Sequence, residues 1–144
     1  MKWFLALPFF CLAINALAQN STEDPALRKK ANDLAHRFII VDGHVDLPYR
    51  LSVKNFRLTK EFLGIPVESA EGDFDYVRAK KGGLTAPFMS IFVPASYQVK
   101  GGAKAYADSL IDMINGITVA HPDKFGQGNS PRQVRENFKQ GKIS

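Results

Sequence analysis

Apolar and polar positions alternate along this chain in blocks that mark out a short series of elements. Leu27, Ala31, Leu34, Ala35 and Phe38 recur at helical spacing behind Asp24-Pro25. That start has an aspartate in the capping position and a proline at the first helical position, so the pattern predicts a helix with one apolar stripe. Phe38 to Val41 is then continuous, apolar and β-branched, which suits a strand buried on both faces, with a tight turn near His36-Arg37 between the two. Leu47 to Gly72 mixes charge with Pro48, Gly64 and Pro66 and reads as a long loop with a helical patch at Thr59 to Leu63. Phe74 to Lys81 predicts a short helix closed by Gly82-Gly83. Ala86 to Val93 predicts a second buried strand, with Pro87 at its start. From Lys104 to Ala120, Tyr106, Leu110, Met113, Ile114 and Ile117 give the clearest helical stripe, with Pro122 just beyond it. Ser130-Pro131-Arg132-Gln133 is a capping-box start for a further short helix whose inner face is Val134 and Phe138 and whose end is Gly141. Lys142-Ile143-Ser144 reads as the opening of a third strand. Strands alternating with helices imply an α/β fold with a parallel sheet and crossover connections. So few strands do not close a sheet, and the expectation is the N-terminal part of a larger α/β barrel.

The first residues form a separate unit. Met1-Lys2 is a short positive start, Trp3 to Leu17 is apolar apart from Asn15, and Ala16-Leu17-Ala18 has the small-x-small form of a cleavage site before Gln19. This is the three-part pattern of a secretory signal peptide over residues 1–18. The apolar run falls short of the roughly 20 residues of a spanning helix and is interrupted by Pro8. The sole cysteine, Cys11, lies in this leader, so the exported chain, residues 19–144, would be held by its core or by a metal rather than by disulfides. Asn20-Ser21-Thr22 fits a glycosylation triplet, which has meaning only in a eukaryotic secretory pathway. The net charge of +5 raises a nucleic-acid reading. The basic residues are scattered among acidic ones, as in Arg28-Lys29-Lys30 and Arg78-Lys80-Lys81, and no basic stripe is interleaved with aromatics. A solvated surface accounts for them, and no nucleic-acid partner is expected.

Candidate chemistry concentrates where the first strand ends, in Val41-Asp42-Gly43-His44-Val45-Asp46. Residues two apart on a strand share a face, so His44 and Asp46 project together. An imidazole nitrogen beside a carboxylate oxygen is half a site for a divalent metal such as zinc. The competing reading makes His44 a loop-bonding residue and Asp46 the start of a turn before Leu47-Pro48. Asp42 has the same parity, and either orients the imidazole from behind or bonds nearby backbone. Gly43 would allow a bend or a close approach. His36 and His121 sit at helix ends and read as structural. Ser90 has no identifiable base partner, and no serine- or cysteine-hydrolase motif is present.

Two blocks together resemble a known family. Phe38-Ile39-Ile40-Val41-Asp42-Gly43-His44-Val45-Asp46-Leu47-Pro48 is similar to the opening strand of the membrane (renal) dipeptidase family. Phe74-Asp75-Tyr76-Val77-Arg78-Ala79-Lys80-Lys81-Gly82-Gly83-Leu84, followed by Ala86-Pro87-Phe88-Met89-Ser90-Ile91-Phe92-Val93-Pro94, resembles its next segment. The resemblance spans about Leu27 to Ser144 and covers the N-terminal part of that family only. It implies a TIM-like (β/α)8 metal-dependent hydrolase barrel, incomplete as given, and an exported enzyme that hydrolyses dipeptides through a hydroxide bridged between two zinc ions. His44 and Asp46 would ligate one of them. None of Glu61, Glu68, Glu71 or Glu136 matches the family's bridging glutamate, and its later histidines have no counterpart either, so only one half-site is expected here and no catalytic residue. The alternative is a non-catalytic remnant that at most binds a metal or a partner chain. A third reading, a related barrel enzyme acting on cyclic or other small amides, shares the first block but not the second.

Overall fold

A computed structural model describes residues 24–53, 66–70 and 72–144. Helix α1, Pro25–Arg37, starts where the Asp24 side chain accepts from the Ala26 backbone N–H at 2.8 Å. Strand β1 is Ile40–Val45 and leads directly into helix α2, Leu47–Val53. Helix α3, Tyr76–Gly82, is followed by strand β2, Leu84–Met89. Helices α4, Tyr97–Lys100, α5, Ala103–Ala120, and α6, Pro131–Lys139, complete the order. Among the described residues the fold is mixed α/β, six helices around a two-stranded parallel sheet.

Four features differ from expectation. β1 begins at Ile40 rather than Phe38 and runs on through His44. It is not buried on both faces: Val41 is 56 % exposed and none of its residues is buried, because among the described residues it has one strand neighbour. Leu47 to Val53 is helix where a loop was expected. Leu47, Pro48 and Leu51 are buried there, so tertiary packing decides a segment whose mixed charge and proline hid its apolar face. The Thr59–Leu63 patch lies outside the described residues. β2 covers Leu84–Met89 rather than Ala86–Val93, which puts Pro87 inside the strand, opposite Asp42. Proline is tolerated in strands beside irregularities of pairing, and β2 has one.

That irregularity is matched by a second. Ile40 pairs with Leu84, Val41 with Ala86, Asp42 with Pro87 and Val45 with Met89. β2 therefore carries an extra residue at Thr85, and β1 carries one between Asp42 and Val45, two bulges of opposite sense. The Thr85 hydroxyl bridges the first, accepting from the Ile40 N–H at 2.9 Å and donating to the Ile40 carbonyl at 3.1 Å. Beyond β2, the Ser144 N–H donates to the Thr85 carbonyl at 2.8 Å, and Ile143 bridges to Phe125 in parallel fashion. Lys142 to Ser144, expected to open a third strand, form none among the described residues: Ile143 makes an isolated bridge and Ser144 a single bond to β2.

Leu47, Leu51, Phe74, Ala79, Ile117, Phe125 and Ile143 form one core cluster, with Met113 and Ile114 of α5 packed against it. α5 presents the expected stripe, with Leu110 fully buried. α6 is capped by the Ser130 hydroxyl, which accepts from the Gln133 N–H at 3.2 Å; the Gln133 side chain returns to the Asn129 N–H, one residue before the cap. α3 is capped by Asp75, which is buried and accepts from the Arg78 N–H at 2.8 Å. Burial pushes this carboxyl up, but the Arg78 backbone and guanidinium, with the Ser69 N–H, outweigh it and hold the group below the usual range. Gly83 ends α3 at φ 82°, where a Cβ would lie 2.5 Å from the Ala35 carbonyl oxygen of α1. Only glycine satisfies both that left-handed backbone and that approach.

Candidate functional site

The end of β1 gathers the polar groups of interest. His44 Nε2 lies 3.1 Å from Asp46 Oδ1, and the two side chains are 67 % and 56 % exposed. His44 is in β1 and Asp46 is the residue just past its end, and both side chains are open to solvent. Asp46 also opens α2: its carbonyl accepts from the Arg50 N–H at 3.0 Å. Asp46 thus starts the helix through its backbone while its side chain lies beside the imidazole.

Asp42 acts on the backbone of its neighbour. Its Oδ1 accepts from the His44 N–H at 2.9 Å, so it fixes the chain at the β1 bulge and does not reach the imidazole from behind. Gly43 sits in the same bulge, yet a Cβ there would meet nothing within 4 Å; close approach does not explain it. His36 stands apart, its Nδ1 2.9 Å from the Asn32 carbonyl and its Nε2 3.0 Å from the Lys80 carbonyl, tying α1 to the end of α3. His121 faces the Phe125 ring at 6.4 Å between centroids. Both are remote in role from the β1 pair.

Ser90 joins the site unforeseen. It follows the last residue of β2, and its hydroxyl donates to Asp46 Oδ1. The Asp46 carboxyl is held below its usual range, first by this bond, against some burial, and then by His44. The signal in the sequence was positional: in a parallel pair, the residues that follow matched strand ends stand side by side. A cavity of about 330 Å³ adjoins Asp46, lined by Val45, Leu47, Tyr49, Arg50 and Phe74 among others. Imidazole nitrogen and carboxylate oxygen are donors that zinc accepts. The pair supplies two of them, and among the described residues no three of His, Cys, Asp and Glu come together. The donor chemistry fits a metal, and the donor count is that of a half-site.

Three likenesses bear on this geometry. The family described as Membrane dipeptidase (Peptidase family M19) matches residues 28–144. A protein named Dipeptidase ataJ from Aspergillus terreus is 30 % identical over 124 residues, covering 80 % of this chain and 29 % of that protein. An uncharacterized dipeptidase from Schizosaccharomyces pombe is 27 % identical over 127 residues, covering 81 % of this chain and 30 % of that protein. The chain thus spans about three tenths of the length of these curated relatives.

Proposed function

The chain belongs to the membrane dipeptidase family, and from that premise we propose that it forms the opening strands of an exported, zinc-dependent dipeptidase. In this reading residues 1–18 are the signal peptide and residues 19–144 the N-terminal part of a TIM-like (β/α)8 hydrolase barrel. Among the described residues no helix is long and apolar enough to cross a membrane. The substrate is a dipeptide, and the reaction is hydrolysis of its peptide bond. His44 and Asp46 are the ligands this chain contributes toward one of two zinc ions, and Asp42 sets the backbone from which His44 projects.

The observation that carries the reading is the His44–Asp46 pair, 3.1 Å apart and open to solvent at the C-terminal end of a parallel strand. Catalytic groups of barrel enzymes sit at such strand ends. Zinc, when bound, supplies Lewis-acid polarisation of the scissile carbonyl and activation of water. His44 would offer Nε2 and Asp46 its carboxylate, already ionised and fixed in orientation. The rest of the coordination sphere and the proton-transferring acid would come from further chain. The two-donor set also supports a second reading, a metal-binding product without hydrolysis.

Zinc binding and dipeptide hydrolysis by the protein of the complete reading frame separate the two. The expected result is zinc uptake and hydrolysis of a panel of dipeptides, both lost in His44→Ala. Zinc uptake without hydrolysis of any dipeptide favours the second reading. Zinc uptake unchanged in His44→Ala and in Asp46→Ala would sink both.

A further inference from the structure

Resting on that reading of His44 and Asp46, we infer that Ser90 is a positioning residue that locks the Asp46 carboxylate in the orientation a metal needs. Val45 pairs with Met89 at the end of the sheet, and the Ser90 N–H continues the ladder by donating to the Val45 carbonyl at 2.9 Å. The residue after β2 is therefore pinned to the last residue of β1, and Asp46 and Ser90 become lateral neighbours. The Ser90 hydroxyl then occupies Asp46 Oδ1, the same oxygen that faces His44 Nε2. With Oδ1 held from the β2 side, rotation of the carboxylate is restricted and Oδ2 stays available on the open side. An aspartate that ends a strand and begins a helix has several rotamers; the hydroxyl removes the freedom that binding would otherwise have to restrict. Partners of this kind, bonded to a ligating group and not to the metal, change metal affinity about 10–100-fold.

The hydroxyl can be isolated from shape by comparing Ser90→Thr with Ser90→Val, which share a β-branched outline and differ only in that group. Zinc dissociation constants, read by competition with a chromophoric chelator on the full chain, form the primary readout, with melting temperature of the zinc-free protein beside it. Ser90→Thr should bind as wild type does, and Ser90→Val should bind about 10-fold more weakly or worse, the two melting alike. Equal affinities for Thr and Val variants would overturn the role of Ser90 while leaving the ligand reading intact, provided that His44→Ala abolishes binding. Binding that is absent in the wild type, or unaltered in His44→Ala, would remove the ligand reading and this inference with it.

Discussion

β1 and β2 are each six residues long and hydrogen-bonded to one another, yet their surroundings differ sharply. β2 pairs with β1 and also accepts the Ser144 N–H at Thr85, and Thr85, Ala86 and Pro87 are buried. β1 has a single strand neighbour among the described residues and no buried position. The helices repeat the contrast. α5 turns its stripe onto the core, whereas α1, of similar periodicity, buries nothing, with Leu27 65 % and Leu34 44 % exposed. Periodicity thus states which face of an element is suited to burial. Whether that face is covered depends on neighbours contributed from elsewhere in the chain. His44 stands on the less covered of the two strands and Asp46 just past its end, and Asp46 accepts a bond from Ser90, just past the better anchored one.

Substitutions at matched positions sharpen this contrast. Leu110→Ala on α5 should cost about 2–5 kcal/mol in urea unfolding, because it empties a fully packed site, while Leu34→Ala on α1 should stay within about 0.5 kcal/mol. Equal losses would mean that α1 is covered in solution. The adjacent glycines at the end of α3 should move in opposite directions. Gly83→Ala, with its left-handed φ and the Ala35 carbonyl in its way, should destabilise by about 1–3 kcal/mol; Gly82→Ala, helical with open space around it, should stabilise by about 0.5–1 kcal/mol. Thermal melts of the two variants check this pair. Asp75→Ala should cost about 1–2 kcal/mol through loss of the cap. The folded carboxyl lies below its unfolded value, so its contribution is present in full above about pH 4 and is lost as pH falls through the lowered folded value. The gap between wild type and Asp75→Ala should therefore close on acidification; a gap that widened would refute the assignment.

Much of this was legible in the chain. Asp24-Pro25, Ser130-Pro131 and Gly82-Gly83 marked true helix ends, since caps and left-handed turns are local chemistry. The α5 stripe and the His44–Asp46 face followed from periods of 3.6 and 2. The α2 helix was hidden because its stability comes from burying Leu47 and Leu51, a tertiary effect with no local signature. The limits of β2 slipped by two residues at its N-terminal end because pairing with β1, not apolar content, decides where a strand starts. The sequence weighs Ser90 only as a nucleophile and misses its bond to Asp46 for the same reason: that bond lies in register, and register is a property of two segments at once. The sequence leaves Asp42 two roles, and the fold chooses the backbone N–H of His44.

The paired bulges have a consequence of their own. Strand β1 and strand β2 each contain one residue more than the straight ladder would use, and the two extras cancel, so that Ile40 faces Leu84 and Val45 faces Met89 with the same offset. The sheet behaves like a vernier, slipping one notch after Ile40 and recovering it by Val45. What delivers Asp46 to Ser90 is thus a count of residues as much as their identities. The chain can change side chains at Ile40 and Val41 with modest effect on this register, but the loss or gain of one residue between Ile40 and Val45, uncompensated in β2, would bring a different residue to the strand end.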